Sequence, residues 1–543
     1  MQPITTAELN HVLSLCKNNK APGPDNIPTE AYKWLDENNR PLLQQLLNSI
    51  IQNKQLPTEW HLANVVEIYK GKGSNTDPEM YRPISLLNTA YKILARVLQT
   101  RLATALDHKL RPTQFGFRKN RSCSQPLHIV RRLQDKAERT GSTLYLLFLD
   151  WEKAFDRIHP EALLTALRRY GVSEGFVELI ANIYQKPLFT VTAAGHTSKQ
   201  ETAHTGIRQG CPLSPYLFLV VHNAILHDVE TQLQRQMGTL PWVHSAKHPL
   251  FDLAYADDTV LMGQSPGVVT KALHLIQTTA EHYNLKLNLG KCEYIVMNGA
   301  GIITFTDGTA VSKVRSAKYL GAIITDTARV QTDLRARLAR ARAGMERLSK
   351  FWAHTDISTK WKIRIYQAVF VPTVLYGMES AHFTTADLQQ LDAFHFQAMR
   401  KIYKIKATYY TEVINPAAHT TKNIDLQQRA QIPPLSQTLL SLQFKYLGHL
   451  LRGTQDQLEH NVCFTEGLAS RANSATQRRG KLRTHWLEAT AQRAWLQHSL
   501  TPPAHPNPTP FFEPYTCRWL KHVAVHRDVW RQFIVMPPTS SVI

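Results

Sequence analysis

Two textures alternate along this chain, and they predict different elements. Short uninterrupted apolar runs suit strands: LYLLFLD, from Leu144 to Asp150, reads as a strand buried on both faces. FDLAY and TVLM flank the tripeptide Ala256-Asp257-Asp258, and two apolar strands joined by a tight polar link describe a β-hairpin. ANVVEIYK and PLFTVTAAG read as further extended segments. Helical spacing marks other stretches. Thr5-x-x-Glu8 opens a helix as a capping box, with Leu9, Val12, Leu13 and Cys16 on one face. One helical stretch is expected from about Glu30 to Asn53, and another over SLLNTAYKILARVLQTRL. A helix after Asp150 has Pro160 near its first turn and Gly171 just past its end, the expected asymmetry. Loops fall where proline and glycine forbid regular structure, in APGPDNIP, GKGSNTDPEMYRP and GIRQGCPLSP.

From about Thr327 the pattern shifts to helices dense in arginine: Arg335, Arg337, Arg340, Arg342, Arg347 and Lys350 stand against the single acid Glu346. A lobe boundary is placed near residue 326. The proline-rich stretch Pro502 to Pro514 reads as a linker, followed by a small helix with Trp519, Val523, Trp530 and Phe533 at helical spacing.

Composition narrows the class. A chain of 543 residues is too long for one ordinary domain, and 43% hydrophobic with 19% charged residues is enough for large cores. The net charge of +21 calls for an anionic partner, most simply nucleic acid, unless it serves only solubility. Six scattered cysteines argue against a disulfide framework. The apolar runs are too short to span a bilayer, and the N-terminus has no signal pattern. The expectation is an intracellular protein, nuclear or cytoplasmic, neither secreted nor in a membrane.

Three acids sit where a carboxylate is costly. Asp150 ends a strand of pure hydrocarbon, and Asp257 and Asp258 are neighbours at a hairpin tip. Crowded like charges repel, and burial raises the cost. A divalent cation resolves that conflict: phosphoryl-transfer sites use such carboxylates to hold two metal ions roughly 4 Å apart, and hard oxygen ligands suit Mg2+. An Asp-Asp pair at a turn is also ordinary structural chemistry, so the pair alone leaves both readings open.

Eight segments, in order, resemble the reverse transcriptases of non-long-terminal-repeat (LINE-type) retrotransposons over about residues 4 to 325. LDWEKAFDRI, GIRQGCPLSPYLF and LAYADDTVLM resemble the first three palm motifs, and LNLGKCEYIVMN and KYLGAIITD the next two. KAPGPDNIPTEAYK, YRPISLLNTAYKILARVL and QFGFRKNRS resemble fingers segments. The resemblance implies an α+β right-hand polymerase, with fingers, a palm of antiparallel sheet, a thumb and a mainly helical C-terminal region. Its expected boundaries are 1–143 for the fingers with an N-terminal extension, 144–325 for the palm with interleaved fingers segments, 326–415 for the thumb, 416–501 for the C-terminal region, and 502–543 for linker and terminal helix. The reverse transcriptase domain as a whole would run from about 55 to 325.

The resemblance also implies roles. Asp150 and Asp257 match metal-chelating aspartates, with Asp258 their partner; the cofactor is Mg2+, two ions, with Mn2+ as the substitute. Phe155 matches the aromatic gate that collides with a ribose 2′-OH, Gln209 and Gly210 line the nucleotide pocket, and Lys70 and Arg82 clamp the triphosphate. Lys291 matches a proposed general acid for pyrophosphate, and Lys318, Tyr319, Leu320 and Gly321 match the primer grip. Asp156 is read as an indirect metal contact or a cap for the helix near Pro160. Gln114 to Arg121 are read as template-backbone contacts, and the arginine-dense helices as a phosphate-holding thumb.

The implied activity is that of an RNA-directed DNA polymerase, a nucleotidyltransferase that extends a DNA or RNA primer 3′-OH on an RNA template with dNTPs. Target cleavage, if needed, would fall to an endonuclease on another chain or on an absent segment. The late fragments FKYLGHLLR and RRGKLRTHWLEA suggest a nucleic-acid-binding tail, while Cys517, His522 and His526 offer too few ligands for a zinc site. The rivals are an RNA-dependent RNA polymerase, which Phe155 opposes, and a catalytically silent RNA-binding or maturase-like protein derived from a retroelement.

Overall fold

The structure, a computed structural model, describes residues 1–71, 73–193, 195–237, 250–354, 356–405, 421–465, 468–469, 485–498 and 514–535. The strand expected at LYLLFLD forms over Leu144–Leu149 (β3), and all six of its side chains are buried. It is central in a five-stranded sheet of order β10-β9-β3-β8-β7, where β7 is Asp252–Tyr255, β8 Asp258–Gly263, β9 Glu293–Met297 and β10 Ser312–Lys313. β3 runs antiparallel to both β8 and β9, so its backbone groups are paired on either side.

Alternation along β3 feeds two cores. Tyr145, Leu147 and Leu149 join a large core made with the helices Thr89–Leu106, Pro160–Arg169, Glu174–Gln185, Ser214–Met237 and Pro266–Glu281. Leu144, Leu146 and Phe148 join a second core with the helix Ser124–Thr140 and the hairpin β11–β12, Ser316–Tyr319 and Ala322–Thr325. A continuous apolar run is what a strand covered on both faces requires.

A second sheet, β2-β1-β4-β5 with β6 on β4, is built from Leu62–Tyr69 (β1), Tyr81–Leu86 (β2), Leu188–Ala193 (β4), His196–Thr197 (β5) and Glu201–Thr202 (β6). Thr5 caps the first helix by accepting from the Glu8 N–H, but the Glu8 carboxylate turns away to Arg101, so only half of the capping box forms. The helical stretch expected from Glu30 to Asn53 is two helices, Thr29–Lys33 and Asn39–Asn53. Between them the Asp36 carboxylate accepts from the Asn38 and Asn39 N–H groups, a local alternative to continued helix.

After Thr325 the described chain is almost entirely helical, apart from the short pair Phe464–Thr465 and Leu468–Ala469. The helix Ser124–Thr140 ties this region to the sheet through buried polar side chains. Arg131 donates to Ser380 Oγ at 2.9 Å, Arg132 to Ser380 O at 3.0 Å, Gln125 to Glu459 at 2.7 Å, and the Arg132 guanidinium lies 4.8 Å from the Trp486 ring. Residues 502–513, all of the expected linker but Pro514, lie outside the described residues; two short helices, Pro514–Val525 and Arg527–Val535, follow where one was expected. No helix among the described residues is long and apolar enough to cross a membrane.

One ion cluster anchors β7. Asp252 is fully buried, receives Arg111 Nη2 at 2.5 Å and Thr113 Oγ1 at 2.9 Å, and Arg111 also pairs with Glu230. Arg111→Ala would leave that carboxylate without its counter-charge and is expected to cost about 3–5 kcal/mol. Arg101→Ala, which breaks a more accessible pair with Glu8, is expected to cost about 0–1 kcal/mol. Urea midpoints of the two variants check the contrast, and equal midpoints contradict it.

Candidate active site

The register of β3 against β8 decides how the acids meet. The last pair is Leu149 with Thr259, so the next step along the ladder sets Asp150 opposite Asp258, on the face that Phe148 and Val260 share. Opposed residues of such a ladder have Cα atoms about 5 Å apart. Asp257 precedes Asp258 at the tip, since Tyr255 pairs with Asp258 across the turn. Solvent reaches both tip carboxylates, yet protein crowds them on their other sides. Burial first, and then the Asp257 and Asp150 charges, push Asp258 up to about 6. Burial is also the main cause raising Asp257; a backbone hydrogen bond opposes the rise and the Asp150 charge adds to it.

No group of three or more His, Cys, Asp or Glu among the described residues forms a ready-made metal cluster. The donor set nonetheless fits a hard divalent cation. The three acids are all oxygen donors; burial first, and then neighbouring carboxylate charge, raises Asp257 and Asp258, and a bound cation relieves both costs.

Asp150 is itself pinned. Its carbonyl accepts the Asn288 N–H at 2.8 Å, and Glu152 N–H donates to Lys286 O at 2.9 Å. This loop leads into Lys291, whose Nζ lies 3.7 Å from Asp150 Oδ2. Both partners are substantially exposed, so the pair contributes little to stability and leaves the lysine accessible.

The hairpin tip is held from beneath. Ala256 takes φ +59°, a conformation that costs an L-residue energy. Gln114 satisfies it: its Oε1 accepts from Ala256 N at 2.9 Å and from Gly116 N at 2.8 Å, and its Nε2 donates to Ala256 O at 3.3 Å. A Cβ on Gly116 would stand 2.2 Å from Ala256 N, so only glycine permits this approach. Thr259 Oγ1 donates to Asp257 O at 3.1 Å and lies 3.1 Å from His222 Nε2. His222 is buried, its pKa lowered to about 3 chiefly by burial, so the ring is neutral. The reading of Gln114 as a template contact therefore changes: it is 1% exposed and braces the tip. Arg118 likewise turns inward, to Asp107 and the Arg111 and Gln114 carbonyls.

Phe155 is half-buried and stacks on Phe218 at 5.0 Å, and Phe218 stacks on His222 at 5.5 Å. A run of rings thus joins Phe155 to the residues behind Asp257. Gln209 Nε2 donates to Asp156 Oδ1 at 2.9 Å. Asp156 caps no helix, because His159 occupies the N-cap position of Pro160–Arg169. Gly210 has φ +122°, and a Cβ there would lie 2.5 Å from Ser85 O; the neighbouring Gln209 O accepts the Ser85 N–H at 2.7 Å.

Lys70 Nζ donates to Glu79 O at 2.6 Å, and Lys153 Nζ pairs with Glu79 Oε1 at 2.8 Å. Lys153 first, with Lys70 and Lys291 farther off, holds the Glu79 carboxyl below its ordinary value, so the three lysines share one neighbourhood. Arg82 is exposed, opposite Ile68 on the β1–β2 ladder, and makes no ion pair with Glu79 among the described residues.

Lys318 to Gly321 form the turn of β11–β12, with Leu320 at φ +46° and Gly321 at φ +80°. Lys318 is exposed; Tyr319 is buried 5.5 Å from Phe148, with Asp258 close enough to contribute to raising its phenol, though burial is the larger cause. Arg337 is 2% exposed, paired with Asp333 at 2.9 Å and donating to Gly321 O at 2.9 Å. It fixes the turn and is unavailable to phosphate, whereas Arg335, Arg340, Arg342, Arg347 and Lys350 are exposed.

Residues 69–324 match the family described as reverse transcriptase (RNA-dependent DNA polymerase). This segment belongs to the reverse transcriptases. Distant homologues are RNA-directed DNA polymerases of non-long-terminal-repeat elements. Similarity to the RNA-directed DNA polymerase from mobile element jockey of Drosophila melanogaster is 24% identity over 464 residues, covering 83% of this chain and 48% of that protein. Similarity to the Pol polyprotein of the R2DM element of the same fly is 26% over 323 residues, covering 57% and 29%. The chain thus spans about half or less of the length of these relatives. Among solved structures, a telomerase from Candida albicans is loosely similar, with a TM-score of 0.39 at 13% identity over 73% of this chain and 69% of that one.

From sequence, Gln114 and Gly116 enter only as part of a template-contact stretch, and His222, Thr259 and Lys153 are not singled out as site residues. His222 sits in an apolar helix with no period to mark it, and Lys153 is one cation among many. Gly116 in QFGF was the nearest available signal.

Asp258 titrates higher in the folded protein than in the unfolded chain. Its contribution to stability is present below about pH 4 and is lost as pH rises through about 6. In metal-free protein at pH 7.5, Asp258→Asn is expected to raise Tm by roughly 2 °C, about 1 kcal/mol after screening. The gain should vanish near pH 4. Thermal melts at both pH values check this; an equal gain at both, or a loss at pH 7.5, contradicts it.

Proposed function

We propose that this chain is an RNA-directed DNA polymerase of the LINE type, extending a primer 3′-OH along an RNA template with dNTPs and releasing pyrophosphate. The observation that carries the reading is the ladder step that sets Asp150 opposite Asp258 with Asp257 adjacent. In this reading the five-stranded sheet is the palm, the β1–β2–β4 sheet with the N-terminal helices is the fingers, and the helices after residue 326 are the thumb and C-terminal region.

Asp150, Asp257 and Asp258 would hold two Mg2+ ions, which, when bound, activate the attacking oxygen and stabilise the leaving pyrophosphate. The chain's own residues do the rest. Lys153, now paired with the Glu79 carboxylate, and Lys70, now on the Glu79 carbonyl, are placed to exchange these partners for a triphosphate, as charge-assisted bonds to phosphate are the stronger ones. Gln209 and Gly210 bring backbone close to the nucleotide. Phe155, backed by Phe218, presents a rigid ring to the sugar, and a rigid ring excludes a 2′-hydroxyl by overlap. Lys291, beside Asp150, is the candidate proton donor to pyrophosphate. The buried Tyr319 and the Arg337–Gly321 bond hold the turn that would seat the primer end.

RNA template, DNA or RNA primer and dNTPs are the proposed partners, with an endonuclease supplied separately or by a further segment. The silent RNA-binding alternative differs in one measurement, primer extension on poly(rA)/oligo(dT). Wild type should extend, Asp257→Ala should lose about 10³-fold or more, and Phe155→Ala should gain roughly 10- to 100-fold in ribonucleotide use. Equal extension by wild type and Asp257→Ala contradicts the assignment, and unchanged ribonucleotide discrimination removes Phe155 from the gate.

A further inference from the structure

A groove of about 860 Å³ lies away from the carboxylates, between the loop 120–125, Glu379 and two C-terminal helices. Its walls are basic. Lys445 and His449 lie one turn apart on Leu435–Leu451, Arg452 is its C-cap residue, and Arg527 and Arg531 lie one turn apart on Arg527–Val535. The one carboxylate in the lining is Glu379, which is engaged by Ser124 Oγ.

Like charges face each other across this groove. The Arg452 guanidinium donates to Ala524 O at 3.0 Å, and burial together with the neighbouring Arg527 charge holds it below the ordinary arginine value. Lys445 and Arg527 are exposed and make no ion pair among the described residues, whereas Arg531 pairs with Asp528 at 3.1 Å and His449 lies 3.8 Å from Glu459. Tyr446, also in the lining, is 9% exposed, and its hydroxyl has no hydrogen-bond partner. Facing cations raise the energy of the empty groove and favour an anion between them.

The groove is also close to the candidate active site along the chain. Gly116 touches Ala256 of the hairpin tip, and Asn120 on the groove rim is four residues later, at most about 14 Å away even fully extended. A polymeric anion that passes the carboxylates can therefore continue into the groove, whereas a small anion would not need that continuity.

We infer that this groove is a binding site for the phosphodiester backbone of a single polynucleotide strand running to or from the carboxylate site. The inference rests on the polymerase reading and deepens it by giving residues 435–535 a role. Contact is to phosphates, so it positions the strand without reading its sequence. A template RNA strand and a DNA strand share this chemistry, and the test separates them.

The full chain is used, with the triple variant Lys445→Gln, Arg527→Gln and Arg531→Gln, all exposed positions outside the candidate catalytic set. A charge-retaining control, Lys445→Arg, Arg527→Lys and Arg531→Lys, guards against loss of fold. Fluorescence anisotropy with labelled 25-mer oligo(rU) and oligo(dT) is measured across salt concentrations. Each phosphate contact on a single strand adds about 0.7 to the log–log salt slope. The neutral triple should therefore lose about 2 units of slope and bind at least 10-fold more weakly at low salt, while the control keeps the wild-type slope. A loss on oligo(rU) alone assigns the groove to RNA, a loss on oligo(dT) alone assigns it to DNA, and a loss on both means it holds either strand.

Unchanged slope and affinity for both oligonucleotides overturns the inference even if the wild type extends primers. An equal loss in neutral and charge-retaining triples also overturns it, since the effect would then be structural. Failure of primer extension with the slope change intact would instead count against the polymerase reading and leave the groove standing.

Discussion

Two strands are held in one register, and that register forces like charges together. A shift of one residue along β3 would exchange Tyr145, Leu147 and Leu149 with Leu144, Leu146 and Phe148 between its two cores and break the Tyr145 hydroxyl's bond to Ala300 O. The same ladder that buries Leu144 to Leu149 therefore delivers Asp150 beside Asp258, whose proton affinity is raised first by burial and then by the Asp257 and Asp150 charges. Stability from the hydrocarbon ladder offsets the electrostatic cost at its end. The arrangement is strained for a protein alone and suited to one that binds cations.

Everything else near the tip serves to keep that geometry. Gln114 reaches from a preceding loop to satisfy both sides of Ala256, Thr259 holds the Asp257 carbonyl, and Arg337 holds the adjoining turn. Buried polar side chains that bond backbone in this way lose conformational freedom and transmit position. The run from Phe155 through Phe218 and His222 to Thr259 links the proposed sugar gate to the proposed metal ligands by contact alone. The proposed sugar gate and the proposed metal ligands thus share one packed unit.

Legibility in the sequence followed locality. Asp150, the hairpin and the helix from Pro160 to Arg169 were readable because period, caps and turn residues act over a few positions. The break at residues 34–38 was missed because a side chain of Asp36 competes with the helix for backbone partners, and apolar spacing does not record that. Gln114 and Arg337 were read as surface groups because polarity predicts exposure. Their burial depends on partners 142 and 16 residues away, at Ala256 and Gly321, which no local window contains. The groove among Lys445, Arg452 and Arg527 was hidden for the same reason, since it exists only once two helices pack.

The central claim is that the three carboxylates share bound cations, and metal-directed cleavage of the chain tests it most directly. Fe2+ placed in the Mg2+ site, with ascorbate and peroxide, cuts backbone only near the bound ion. Shared cations predict cuts at two places far apart in sequence, next to Asp150 and next to Asp257, both suppressed by excess Mg2+. Cleavage beside one of these and not the other, or cleavage that Mg2+ does not compete away, would contradict a shared site.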